Sequence, residues 1–166
     1  GGHVVEFRHK PLDLDLTWRS PRRGWPEPPS ADFFDTYPGG WQEVLPNGGA
    51  PATYRGAVLD QHGEVAALPW ECVPLDDGVR LTVAATRTPF RVSKVLRLDG
   101  ARLVVEETLE NEAPVEVHAM WGQHLAFGAP FLVPGARLTL PEGVRVIPHA
   151  STINPPRRAV APGGPY

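Results

Sequence analysis

The chain has 166 residues, of which 42% are hydrophobic and 21% charged, a balance that excludes intrinsic disorder and is enough for one domain with its own core. A net charge of −3 with no basic stripe argues against a nucleic-acid partner, and no apolar run approaches the roughly 20 residues of a membrane-spanning helix. Cys72 stands alone, so no internal disulfide can form and the chain fits a reducing, cytoplasmic compartment; beside Trp70 and Val73 it reads as a buried, inert thiol.

No stretch holds an apolar period of 3.6; the visible period is 2, which predicts strands. Residues 2–10 read as the first strand, with Val5 and Phe7 on one face. A long loop over 19–40 follows, with a Pro-rich run at 21–29, a helical turn near 31–36 and the turn pair Pro38-Gly39. The pairs Arg22-Arg23 and Arg157-Arg158 sit among prolines and read as solvated loop charges. Two strands are predicted over 53–60 and 64–71, around Gln61-His62-Gly63, and Asp76-Asp77-Gly78 turns the chain into a strand at 79–87. The next strand, 89–98, places Phe90, Val92, Leu96 and Leu98 on one side. Asp99-Gly100 is a strong hairpin signal, and the strand at 102–110 turns Leu103, Val105 and Leu109 inward. After the turn Asn111-Glu112-Ala113-Pro114 come strands at 115–124, 136–140 and 143–147. Many short strands with turns about every ten residues imply an antiparallel sandwich or barrel. The chain opens on Gly1-Gly2 and closes on Gly163-Gly164-Pro165-Tyr166, so we expect residues 1–166 to be a single partial domain of a longer protein, truncated at its C-terminus.

Four segments could carry chemistry. In Gln61-His62-Gly63-Glu64 a histidine sits in a turn beside a glycine that allows close approach, although a surface turn histidine has the same local sequence. Trp121-Gly122-Gln123-His124 ends a strand, and alternation puts Gly122 and His124 on one face, which leaves open space beside the imidazole. An aromatic ring beside a histidine suits a sugar, whose C–H face stacks on the ring while its hydroxyls seek polar groups; a satisfied core histidine is the alternative. The loop from Tyr37 to Gly49 combines Trp41, Gln42, Glu43 and Asn47 with four glycines, as binding loops and ordinary turns both do. Arg87 at a strand end could donate to sugar hydroxyls, pair with Glu43, or be a plain surface arginine.

Taken in order, these pieces resemble the aldose 1-epimerase (galactose mutarotase-like) superfamily. The resemblance rests on Gly1-Gly2 before Arg8-His9-Lys10, on Gly40-Trp41-Gln42-Glu43-Val44-Leu45-Pro46-Asn47, and on His62-Gly63-Glu64 with Leu68-Pro69-Trp70. Thr88-Pro89-Phe90 and Gly122-Gln123-His124-Leu125-Ala126-Phe127-Gly128 complete it, over most of residues 1–141. It implies an antiparallel supersandwich, a free hexose as substrate and no cofactor or metal. A glutamate removes the anomeric proton, a histidine protonates the ring oxygen, and the ring opens and recloses on the other face. By motif His124 would be the general acid and His62 the second histidine, with Trp41, Glu43, Asn47, Glu64, Arg87 and Trp121 as substrate contacts. The family's catalytic glutamate lies in a C-terminal half that this chain does not reach, and Trp41-Gln42-Glu43 replaces the Asn-Arg segment of true galactose mutarotases. The remainder of the polypeptide, or a second chain, would cover the open sheet edges.

Two other functions fit the same residues. One is a non-catalytic carbohydrate-binding domain with Trp41, Arg87 and Trp121 as its platform. The other is a cupin-like metal protein using His62, Glu64 and His124. Both sugar readings require the two imidazoles to face one cleft, about 5–9 Å apart for a bound hexose.

Overall fold

The computed structural model describes residues 1–20, 33 and 37–147. The Pro-rich run at 21–29, both Arg pairs and the expected helical turn, apart from Phe33, lie outside the described residues. The architecture is all-β, and every strand pair among the described residues is antiparallel. No helix among them is long and apolar enough to cross a membrane.

Strands β1 (Arg8–His9) and β2 (Leu14–Asp15) form a small hairpin around a 3-10 turn at Lys10–Leu12. Strand β3 (Trp41–Val44) follows, and then β4 (Ala52–Tyr54) and β5 (Ala57–Leu59) make a second hairpin. Strands β6 (Glu71–Leu75), β7 (Gly78–Ala84), β8 (Phe90–Asp99) and β9 (Arg102–Asn111) form a four-stranded meander in that order. Strand β10 (Gly122–Leu125) returns to pair with β3.

The meander follows from period-2 alternation and turn chemistry. Asp76-Asp77 and Gly100-Ala101 are two-residue loops, the second with Gly100 at φ +59. The inward face buries Val83, Phe90 and Val92 against Leu45 and Val65, with Leu68, Trp70, Leu109 and Val117 around them. Full burial of each such side chain contributes roughly 1.5–3 kcal/mol. The β3/β10 ribbon lies over the same sheet face, since Glu43 of β3 reaches Lys94 of β8 and Gln123 of β10 reaches Glu107 of β9.

Several predicted elements differ. The first strand is reduced to a Val4–Trp41 bridge and β1. Residues 53–60 are a hairpin, because Arg55 (φ +48) and Gly56 (φ +84) form a turn with two left-handed residues. Residues 64–70 are turns that place Val65 in the core, and Trp70 Nε1 donates to the Val65 carbonyl at 2.9 Å. Strand β7 stops at Ala84 because Thr86–Thr88 fold onto Glu64. Of 115–124, strand pairing is confined to the stretch opposite the four residues of β3. Residues 136–140 and 143–147 pair with no described strand, and Leu138, Val146 and Ile147 are exposed. Leu98 and Val105, expected inward, lie toward the tip of the β8–β9 hairpin and are exposed. Cys72 is exposed, not buried, because β6 is an edge strand with little packed on either face.

Candidate functional site

Register and alternation give the β3/β10 ribbon two distinct faces. His124 lies opposite Gln42, and Gln123 lies opposite Glu43. His124 and Gln42 therefore point to one face, the front, and Gln123 and Glu43 to the back, toward the sheet.

On the front, the ring of His62 meets that of His124 with centroids 5.2 Å apart and planes tilted by 45°. Gly63 is what allows this. At φ +83 it bridges to Leu45, and an added Cβ would stand 2.0 Å from the Leu45 carbonyl oxygen. His62 itself adopts φ +65, with its N–H donating to the Gly49 carbonyl at 3.0 Å. Phe33 lies edge-on to His62 at 4.6 Å, and Tyr37 edge-on to His124 at 5.2 Å. The Tyr37 hydroxyl donates to the Gly40 carbonyl at 2.5 Å, which fixes the ring. Burial pushes the Tyr37 pKa up.

Burial lowers the pKa of His62, partly offset by the Gly48 backbone, and burial followed by repulsion from His62 lowers that of His124. Both imidazoles are thus predominantly neutral near pH 7. The Nδ1 atoms of His62 and His124 and the Nε2 of Gln42 are buried without a hydrogen-bond partner among the described residues. Unmet buried polar groups are uncommon, and these three belong to the ribbon front and the His62 turn that meets it. Neutral imidazoles can donate to or accept from hydroxyls.

The back is saturated by comparison. Glu43, with no solvent exposure, accepts hydrogen bonds from Trp121 Nε1, from Gln123 Nε2 at 2.7 Å and from Lys94 Nζ at 3.2 Å. Gln123 also donates to Glu107 at 2.8 Å, and the Lys94 ammonium lies 4.4 Å from the Trp70 ring centroid. Burial, followed by the Glu43 carboxylate, raises the Glu107 pKa to about 7.

The remaining expected contacts are distributed widely. Glu43 and Trp121 belong to the back cluster. Glu64 accepts from the Thr86 and Arg87 backbone N–H groups and from the Thr86 and Thr88 hydroxyls, so both its oxygens serve the 86–88 turn. Those bonds outweigh burial and hold its pKa below the usual value. Arg87 pairs with Asp60 at 2.8 Å and donates to the Val58 carbonyl, not to Glu43. It borders an open surface hollow of about 610 Å³ with Arg55 and Asp60, and neither histidine lines it. Asn47 closes its own turn through Ala50, Asp60 and Gly49, and Trp41 packs between Phe7 and Phe127. His62, Glu64 and His124 do not form a ligand set, and no group of three metal-ligating side chains occurs among the described residues.

Phe33, which the sequence did not single out, and Tyr37 and Gln42 of the candidate loop lie on the histidine side, the first two against the rings and Gln42 opposite His124. Alternation along β3 could have found Gln42, since it places that residue on the face opposite Glu43. Lys94 was also legible as a charge interrupting the apolar face of β8. No family model, curated protein or solved structure matches the chain.

Proposed function

We propose that this chain is the sugar-contacting, N-terminal part of an aldose 1-epimerase-like β-sandwich that binds a free hexose against the adjoining rings of His62 and His124. The observation that carries this reading is the meeting of the two imidazoles at 5.2 Å, each with an unpartnered buried Nδ1. Aromatic edges beside them suit a molecule with both C–H faces and hydroxyls. In the isomerase reaction His124 donates a proton to the ring oxygen and takes it back on closure, while His62 holds the sugar. The lowered pKa of His124 makes its imidazolium a stronger acid but a minor species near pH 7, so the donor form grows as pH falls. The base comes from outside this chain, from the remainder of the polypeptide or a second chain that also covers the free edge of β9. A reducing cytoplasm suits the exposed, unpaired Cys72.

A second reading, a carbohydrate-binding domain without catalysis, is favoured by one specific observation: Glu43, opposite Gln123 in the β3/β10 ribbon, and Glu64, two residues after His62, are both engaged elsewhere. Nitrogen-15 NMR of the histidine rings, with glucose or galactose added, tests the shared claim. His62 and His124 should shift together, and His124→Ala should abolish the His62 response. Polarimetry with fresh sugar should show no acceleration by this chain alone. Imidazole signals indifferent to every hexose tested would end the sugar reading.

A further inference from the structure

We propose that Glu43, Lys94, Glu107 and Gln123, on the back of the β3/β10 ribbon, are positioning residues that set the pose of His124 according to whether Glu107 holds a proton. The geometry comes first. Gln123 immediately precedes His124, and its amide nitrogen has two hydrogens. One goes to Glu43 at 2.7 Å and the other to Glu107 at 2.8 Å, so both donors are engaged. Lys94 is 4% exposed and pairs with Glu43, which is sealed from solvent, and its charge also acts on Glu107. It stands opposite Glu107 in the β8–β9 register.

The groups facing Glu107 are therefore Lys94 from β8, Glu43 from β3 and Gln123 from β10. Trp121 lies behind Glu43, and the Trp70 ring lies against Lys94. Lys94 also acts electrostatically on His3, which is partly buried. With Glu107 protonated, the cluster contains one ion pair and a neutral acid. Loss of that proton adds a second negative charge beside the Glu43 carboxylate, where the cation in ion-pair contact is Lys94 among the described residues. The new carboxylate either draws Lys94 away from Glu43 or turns toward solvent on the edge strand and releases Gln123. Both movements shift the strand that carries His124. The elevated pKa of Glu107, about 7, puts this change within the neutral range.

The consequence for sugar affinity rests on the reading of the histidine pair, whereas the device itself does not. It is tested on the whole chain without sugar, by NMR between pH 5 and 9. The Trp121 indole N–H, the Gln123 side-chain amide and the His124 backbone amide should move with one midpoint near pH 7. Glu107→Gln should remove that transition and leave a spectrum like that of the native protein at pH 5. His62→Gln and His3→Gln should each keep it, which separates it from titration of those histidines. Should Glu107→Gln not fold, the Glu107 side-chain carboxyl carbon is followed directly in the native chain. A Glu107 midpoint near 4.5, a transition that survives Glu107→Gln, or a His124 amide that stays still while Trp121 moves would each overturn the proposal. A Trp121 transition together with imidazoles indifferent to sugar would sink the functional reading and leave the device standing.

Discussion

On the back of the β3/β10 ribbon, Glu43, Lys94, Gln123 and Glu107 satisfy one another, whereas on the front His62, His124 and Gln42 each bury a nitrogen with no hydrogen-bond partner among the described residues. The two clusters are one residue apart along the same strands, and the pleat alone separates them. The difference teaches that polarity in a β interior is not by itself a mark of function. A saturated cluster orders the strands it joins, and an unsaturated one calls for a partner from outside. It also separates Glu43 from His124, which the sequence motifs suggest as co-workers.

The sharpest way to break this comparison is to remove the anion at the back. Glu43→Ala leaves Lys94 buried without its counter-charge and should destabilise the fold by roughly 3–5 kcal/mol in urea melts. Adding Lys94→Met should recover much of that loss. A cost no larger than that of a surface substitution would show that the back is not a saturated cluster. Next in size is Glu64→Ala, which strands the donors of the 86–88 turn and should cost about 1–3 kcal/mol by the same measurement, without abolishing any sugar response of the histidines.

A smaller effect is the tilt of stability with pH. His3, His62 and His124 have folded pKa values below their ordinary 6.5, His3 reaching about 4 through burial. Their contribution is present above 6.5 and is lost as pH falls. Glu107 is raised from 4.5 to about 7, so its contribution is complete below 4.5 and is lost as pH rises to 7. Between pH 5 and 6.5 the two slopes oppose. Melting temperatures should vary little in the native chain, rise with pH in Glu107→Gln, and shift toward a fall with pH in His3→Gln. Parallel profiles for all three proteins would remove the opposition. The smallest stability change is expected on the front. His124→Leu deletes an unpartnered nitrogen and should alter stability by no more than about 1 kcal/mol while eliminating sugar-induced shifts at His62.

The meander was legible because Asp76-Asp77-Gly78 and Asp99-Gly100 punctuate strands whose alternation is long enough to read. The β4–β5 turn was hidden because an arginine occupies a left-handed position where asparagine or glycine is the usual signal. Residues 64–70 form apolar turns, since Val65 and Trp70 enter the core without strand pairing, and hydrophobicity alone cannot separate those cases. The shortness of β3 limits the pairing of 115–124, a fact that belongs to the partner and not to the segment itself. The approach of His62 to His124 spans 62 positions and was suggested by the family resemblance; no local pattern carries it. The roles of Glu64 and Arg87 depend on the 86–88 turn and on Asp60, which lie at distances in sequence that no motif encodes.

His62 holds a backbone conformation that asparagine or glycine adopts more readily, at a strain on the order of 1 kcal/mol or more for an ordinary side chain. A library of variants at this position, sorted only for resistance to heat, should drift toward those two residues. The same library sorted for retention on an immobilised hexose should return histidine. The divergence between the two winners would measure how far this turn is shaped by what it touches and how far by the need to fold.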